Sequence, residues 1–300
     1  MTAFIDRLAA GVRRVGSPVL VGLDPRWESL PGPLRAGVAD DDLPGIAGAY
    51  ERFCREVIDA VADLVCVVKP QAAFFEQLGP AGMTALGQVI RHARERGLLV
   101  VLDGKRNDIG STATAYAQAY LGEASPWGAD ALTVSPYLGD DSLTPFVDVC
   151  GEQDAGIFVL VKTSNPGGGM LQDLRIDGQT IYERMGGYVE QLAEQTIGEC
   201  GYGAVGAVIG ATYPEQLAQL RQAMPHTWFL VPGFGAQGGT AADVAAAFDA
   251  DGLGAIINNS RGIIFAHSRE PYRSQFGESR WQEAVAAATR DMTAQLRTGG

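Results

Sequence analysis

Eight short apolar runs, separated by longer Ala-rich amphipathic stretches, constrain what these 300 residues can fold into. They are VLVGLD (19–24), LVCVVKPQ (64–71), LLVVLDGK (98–105), ALTVSPY (131–137), GIFVLVKTSN (156–165), AVGAVIGAT (204–212), WFLVPGFG (228–235) and GAIINNS (254–260). A continuous apolar run of this length reads as a strand buried on both faces, and such strands alternating with helices form a parallel sheet. Eight units in one chain favour a closed (β/α)8 TIM barrel over an open doubly wound sheet. The length suits one barrel of roughly 250 residues with insertions. Neither a linker nor a shift in composition divides the chain, so 1–300 reads as a single catalytic domain.

Between the runs, Ile46, Tyr50, Phe53, Val57 and Val61 recur at three- and four-residue intervals, which predicts a helix over 46–62. Thr212 as N-cap and Pro214 near the first turn predict another over 213–223. Ser111 or Thr112 is the expected cap of a helix following Asp108, and Gly97 and Gly201 stand where helix C-caps are expected. Tyr116, Tyr120 and Trp127 read as helix packing. Residues 25–45, rich in Pro, Gly and Asp, read as an extended loop after the first strand. Residues 166–180, opening with P-G-G-G, read as a second, mobile loop after the fifth.

Polar residues close the apolar runs: Asp24, Lys69, Asp103, Lys105, Ser135, Ser164, Thr212, Pro232 and Ser260. In a barrel these positions lie at the C-terminal face, where active sites are built. The densest group is D-G-K-R-N-D, Asp103 to Asp108. Side chains two apart on a strand share a face, so Asp103 and Lys105 are expected side by side, with Asp108 beyond the strand end. With Lys69 they make an array of alternating charge. Grouped charges at the mouth of a buried strand are costly unless paired or used. A lysine between carboxylates keeps its proton and can hand it to a developing carbanion. The alternative is a salt-bridge network that only closes the mouth.

The segments V-P-G-F-G-A-Q-G-G (231–239) and N-N-S-R-G-I (258–263) follow the seventh and eighth runs. Phosphate sites in barrels often lie there, because glycines let backbone N–H groups approach an anion. Gln237 offers amide donors and Arg261 a bidentate fork. Tight turns with a surface arginine are the other reading. Asp24, before Pro25, is equally a turn former.

Composition excludes several classes. At 46% hydrophobic and 19% charged residues, the chain buries a large core. A net charge of −12 and a pI near 4.7 argue against nucleic acid or an anionic membrane as partner. Four scattered cysteines (54, 66, 150, 200) read as buried thiols of a reducing compartment, and three histidines without ligand spacing give no zinc site. With no signal pattern and no long apolar run, a cytoplasmic location is expected. Neither a metal nor a nicotinamide fingerprint is present.

The motifs D-G-K-R-N-D-I-G-S-T (103–112), V-K-P-Q (68–71), V-K-T-S-N-P (161–166), I-G-A-T-Y-P-E (209–215), V-P-G-F-G-A-Q-G-G (231–239) and N-S-R-G-I (259–263) together resemble the orotidine 5′-phosphate decarboxylases, in their longer bacterial subgroup. The resemblance covers essentially the whole barrel. It implies cofactor-free conversion of orotidine 5′-monophosphate to uridine 5′-monophosphate and carbon dioxide, the last step of pyrimidine nucleotide synthesis. It further implies that Lys105 protonates C6, that Asp103 crowds the substrate carboxylate, and that Lys69 holds the array and, with Asp24, meets ribose hydroxyls. Thr112 would contact ribose, Ser164 the pyrimidine edge, and Pro232, Gln237 and Arg261 the phosphate and ring-covering loop. Asp108 would reach across a homodimer interface into the neighbouring site. D-x-K-x-x-D alone is shared by related sugar-phosphate decarboxylases and aldolases, which place a divalent metal at the same carboxylates. A catalytically dead, nucleotide-sensing barrel is a third possibility, against which the intact Asp103/Lys105/Asp108 set argues. The loops at 25–45 and 166–180 exceed those of short family members.

Overall fold

All eight predicted strands form, as Val19–Leu23, Val67–Pro70, Leu99–Arg106, Ala131–Val134, Gly156–Lys162, Val205–Ile209, Phe229–Val231 and Ala255–Asn259. They are numbered one to eight below. Each pairs in parallel with its sequence neighbours, and the eighth closes on the first through Val19↔Ile257, Leu20↔Asn258 and Val21↔Asn259. This computed structural model describes residues 2–235 and 238–298. The expected closed barrel is what the chain builds.

Alternation along the strands sorts residues into two layers. Outward residues such as Val19, Val68, Val100, Ile157 and Ile257 pack under the ring of helices. Inward residues such as Leu20, Val67, Val101, Phe158, Leu230 and Ile256 fill the barrel. Helix Phe4–Val15 closes the N-terminal end: its buried Phe4, Ile5 and Leu8 join the inward layer, with the Phe4 ring edge-on to Phe158 at 6.3 Å. One close approach needs glycine. A Cβ on Gly22 would stand 1.9 Å from the Ser260 Oγ, so the first strand meets the end of the eighth only without a side chain there.

Helix Leu43–Val61 buries the five predicted positions and is capped by Asp42, whose carboxylate accepts from the Gly45 N–H. The last helix, Trp281–Thr298, lies on it, with the Trp281 and Phe53 rings 5.1 Å apart.

Other local expectations need correction. The helix after strand three, Gly110–Tyr120, starts before Ser111 and Thr112, with Ile109 at the cap position and no side-chain cap. Pro214 begins helix Pro214–Ala223, but Tyr213, not Thr212, precedes it. Gly97 does end helix Gly79–Glu95, with φ +75°. Gly201 instead serves a turn, because helix Ile181–Glu194 has ended well before it. The segment 25–45 holds short helical turns tied by Trp27 Nε1 to Asp40 Oδ1 at 2.7 Å. The segment 166–180 is also built: turns Pro166–Gly168 and Gly169–Gln172, then a hairpin pairing Arg175–Ile176 with Gln179–Thr180. In both, side-chain ties supply the order that composition does not advertise.

Candidate active site

A cavity of about 560 Å³ opens at the C-terminal end of the barrel, with Leu160, Val208 and Leu230 among its lining. Six of the nine predicted strand-end residues line it: Asp24, Lys69, Asp103, Lys105, Ser164 and Pro232. Ser135, Thr212 and Ser260 do not. Ser260 is instead buried against Gly22, and the Thr212 hydroxyl donates to the Ser164 carbonyl at 3.4 Å.

Asp103 is the centre. Lys69 Nζ donates to its Oδ2 at 2.8 Å and Lys105 Nζ to its Oδ1 at 2.6 Å. The two lysines differ in access: the Lys69 side chain is 4% exposed and that of Lys105 47%. Burial pushes the Asp103 carboxyl up, but the ammonium groups of Lys69 and Lys105 outweigh it and hold it well below the usual carboxylate range. Burial likewise pulls Lys69 down, yet Asp103 and Asp24 overcome it and leave this lysine above its ordinary value. Asp103 and Lys69 are therefore both charged at neutral pH.

The side-by-side placement of Asp103 and Lys105 is right, but its cause is not simple alternation. Register with strand four shifts between Leu102 and Arg106, so three residues of the third strand face Thr133 alone. In this bulge Lys105 takes the left-handed conformation, φ +44°, which costs a non-glycine residue about 1–3 kcal/mol. Thr133 holds it there. Its Oγ accepts from the Gly104 and Lys105 N–H groups at 3.1 and 2.9 Å and donates to Asp103 Oδ1 at 2.9 Å. Arg106 anchors the far side through Glu76, the Tyr120 hydroxyl at 3.2 Å and the ring faces of Tyr116 and Tyr120.

The fourth charge of the cavity is Asp24, not Asp108. Asp24 Oδ1 is buried without a hydrogen-bond partner, as is Oδ1 of Asn258 on strand eight. Two orphaned acceptors in one cavity are costly unless a ligand supplies donors. Asp108 lies outside the cavity of its own chain, its carboxylate accepting from the Ile109 N–H at 2.9 Å. Thr112, exposed on the following helix, is outside it too.

On the seventh- and eighth-strand side, Gly233, Gly235 and Gly238 have φ of +104°, +69° and +96°, conformations glycine adopts freely. Gln237 lies outside the described residues. Arg261 begins the short helix Arg261–Ile264; it is not in the cavity lining, and its guanidinium has no ion pair or hydrogen bond among the described residues.

Thr133, Asn258 and Gln71 are cavity residues the sequence reading missed. Thr133 and Asn258 sit inside apolar strand runs; only their inward parity, shared with Asp103 and Ile256, marks them. Among the described residues, the histidine–carboxylate group close enough for a metal is Glu190, Glu194 and His226, away from this cavity. The four thiols are unpaired, and burial pushes Cys66 up to about 12 and Cys200 to about 11. Among the described residues no helix is long and apolar enough to cross a membrane.

A chain with this barrel and this mouth has many relatives. A protein of Rhodopirellula baltica named orotidine 5′-phosphate decarboxylase is 62% identical over 99% of this chain and 100% of its own length. One of the same name from Caldicellulosiruptor bescii is 37% identical over 96% of this chain and 99% of its own. The solved OMP decarboxylase of Leishmania donovani superposes with a TM-score of 0.77 at 34% identity, covering 99% of this chain and 98% of the other. The model of the orotidine 5′-phosphate decarboxylase / HUMPS family matches residues 17–273, and the chain belongs to that family.

Proposed function

We propose that this barrel decarboxylates orotidine 5′-monophosphate to uridine 5′-monophosphate, and that Lys105 is the acid that protonates C6. The observation that carries the reading is Asp103 fixed between Lys69 and Lys105 in a cavity whose volume falls within the roughly 300–1,000 Å³ of small-ligand sites.

In the reaction the bond from C6 to the carboxylate breaks and its electron pair stays on C6. Carbon dioxide leaves, and a proton passes from Lys105 Nζ to C6. Asp103, held ionised, crowds the substrate carboxylate in the ground state, and that repulsion is relieved as charge moves onto C6 beside an ammonium already in place. Lys105, half exposed, recovers its proton from solvent. Lys69 keeps Asp103 aimed, and Asp24, with Asn258 beside it in the cavity lining, receives ribose hydroxyls. Ser164 meets the pyrimidine edge. Pro232, Gln237 and Arg261 take the phosphate side, where the guanidinium of Arg261, without an ion pair or hydrogen bond among the described residues, suits an anion. Phosphate held far from the reacting carbon supplies binding energy for desolvating the site.

Asp108 and Thr112 belong in this reading to the mouth of a partner copy. Both project from the segment just past strand three and outside their own cavity. The proposal therefore includes a homodimer with shared sites, working in the cytoplasm.

The test is the orotate absorbance of orotidine 5′-monophosphate mixed with the protein in chelator. Rapid loss of the band is expected. A stable band with folded protein overturns the assignment, and recovery on adding magnesium would point to the metal-dependent sugar-phosphate relatives.

A further inference from the structure

Strand five carries a lysine that the chemistry above does not use. Inward parity runs through Phe158 and Leu160, so strict alternation would turn Lys162 into the barrel. Register with strand six shifts between Leu160 and Lys162, and the side chain leaves the cavity instead. It is fully buried, with Nζ 5.2 Å from the Tyr182 ring centroid, 4.5 Å from that of Tyr213, and 2.5 Å from Asp173 Oδ1.

Asp173 belongs to the segment that follows the strand, and its side chain is 49% exposed. The same segment forms a wall of the cavity through Ser164, Asn165, Leu171 and Gln172. Gln172 folds back on the strand end, its Oε1 accepting from the Thr163 N–H at 3.1 Å and its Nε2 donating to Thr163 Oγ at 2.7 Å. A buried ammonium is expensive unless paired; tyrosine faces supply part of the compensation and a carboxylate the rest. If the segment lifted away, Lys162 would stay between the rings without its counter-ion. That cost falls on the lifted state alone.

The geometry points to Lys162 as a positioning residue that latches the segment 163–173 against the barrel mouth through Asp173, and so sets the affinity for substrate. The inference rests on the function proposed above for the cavity, but not on Lys105 being the acid. Lys162 touches no substrate. Its effect reaches the ligand only through the wall it holds.

The experiment uses Asp173→Asn, which changes a half-exposed side chain and spares the buried clamp, alongside Lys162→Met and Lys162→Arg. Amide hydrogen exchange of 163–174 is measured without ligand, and steady-state kinetics with orotidine 5′-monophosphate. Asp173→Asn is expected to speed exchange in that segment and raise KM roughly tenfold, with kcat changed by less than about twofold. Lys162→Met should do the same, and the double variant should add nothing further. Lys162→Arg should restore KM, since a guanidinium stacks on both rings and pairs with Asp173. Unchanged exchange in Asp173→Asn overturns the latch, whatever the kinetics. Faster exchange in a protein inert toward orotidine 5′-monophosphate supports the latch and locates the error in the assigned substrate.

Discussion

The third and fifth strands break register near their C-terminal ends, and each break carries a lysine paired with an aspartate. The two lysines nevertheless come to opposite sides of the barrel wall. At the third strand three residues face one, and Lys105 stays on the cavity side with Asp103. At the fifth the slip is a single residue, and Lys162 is turned out among the helices. The same kind of ion pair thus stands beside a cavity in one case and among the helices in the other. What separates them is the count of residues in a bulge, since one extra residue reverses the face of everything after it.

Substitutions test that contrast. Lys105→Ala should lower turnover by at least about 10³-fold while uridine 5′-monophosphate still binds, as measured by absorbance assay and titration. Near-wild-type turnover would remove Lys105 from the acid role and erase the functional difference between the two bulges. A third cation sharpens the comparison because it has no aspartate. Arg261→Ala should weaken uridine 5′-monophosphate by about 2–5 kcal/mol, and by much less for uridine, in calorimetric titrations. Equal losses for both ligands would move the phosphate site elsewhere. Thr133→Val keeps the side-chain shape but strips the bulge of its hydroxyl, so denaturant unfolding should show a loss of about 1–3 kcal/mol and kcat should fall. If stability is unchanged, the left-handed Lys105 is held by something other than Thr133.

The smallest effect is the pH dependence. Asp103 is depressed, so its contribution is present above about pH 4 and fades on acidification below it. Lys69 is raised, so its contribution is present below about pH 10 and fades above. The stability difference between wild type and Lys69→Met should therefore be level between those limits and shrink outside both. A slope near neutrality would contradict the pairing.

The barrel was legible because eight doubly buried strands leave an unambiguous apolar signal, and Asp103, Lys105 and Lys69 because charges at strand ends stand out against it. Thr133 and Asn258 were hidden by that same logic: in A-L-T-V and I-I-N-N a polar residue passes for part of the strand. Asp24 replaced Asp108 as the local fourth charge because a chain leaving a strand can go anywhere, whereas strand one is tied beside strand two. The segment 166–180 reads as loose in sequence, since its order comes from Lys162, Thr163 and the Thr180–Glu183 capping box rather than from local propensity. Helix Gly110–Tyr120 begins early because Gly110 enters it directly, which leaves Ser111 and Thr112 inside.

The plug at the base of the barrel has a consequence for synthesis. Phe4, Ile5 and Leu8 leave the ribosome well before Phe158, Trp228 and Leu253, members of the same buried cluster that come 150 or more residues later in the chain. The apolar side of that helix therefore waits uncovered until those residues are made. Its sealing belongs to the final, long-range stage of folding, which makes the nascent chain prone to aggregation until the last strands arrive.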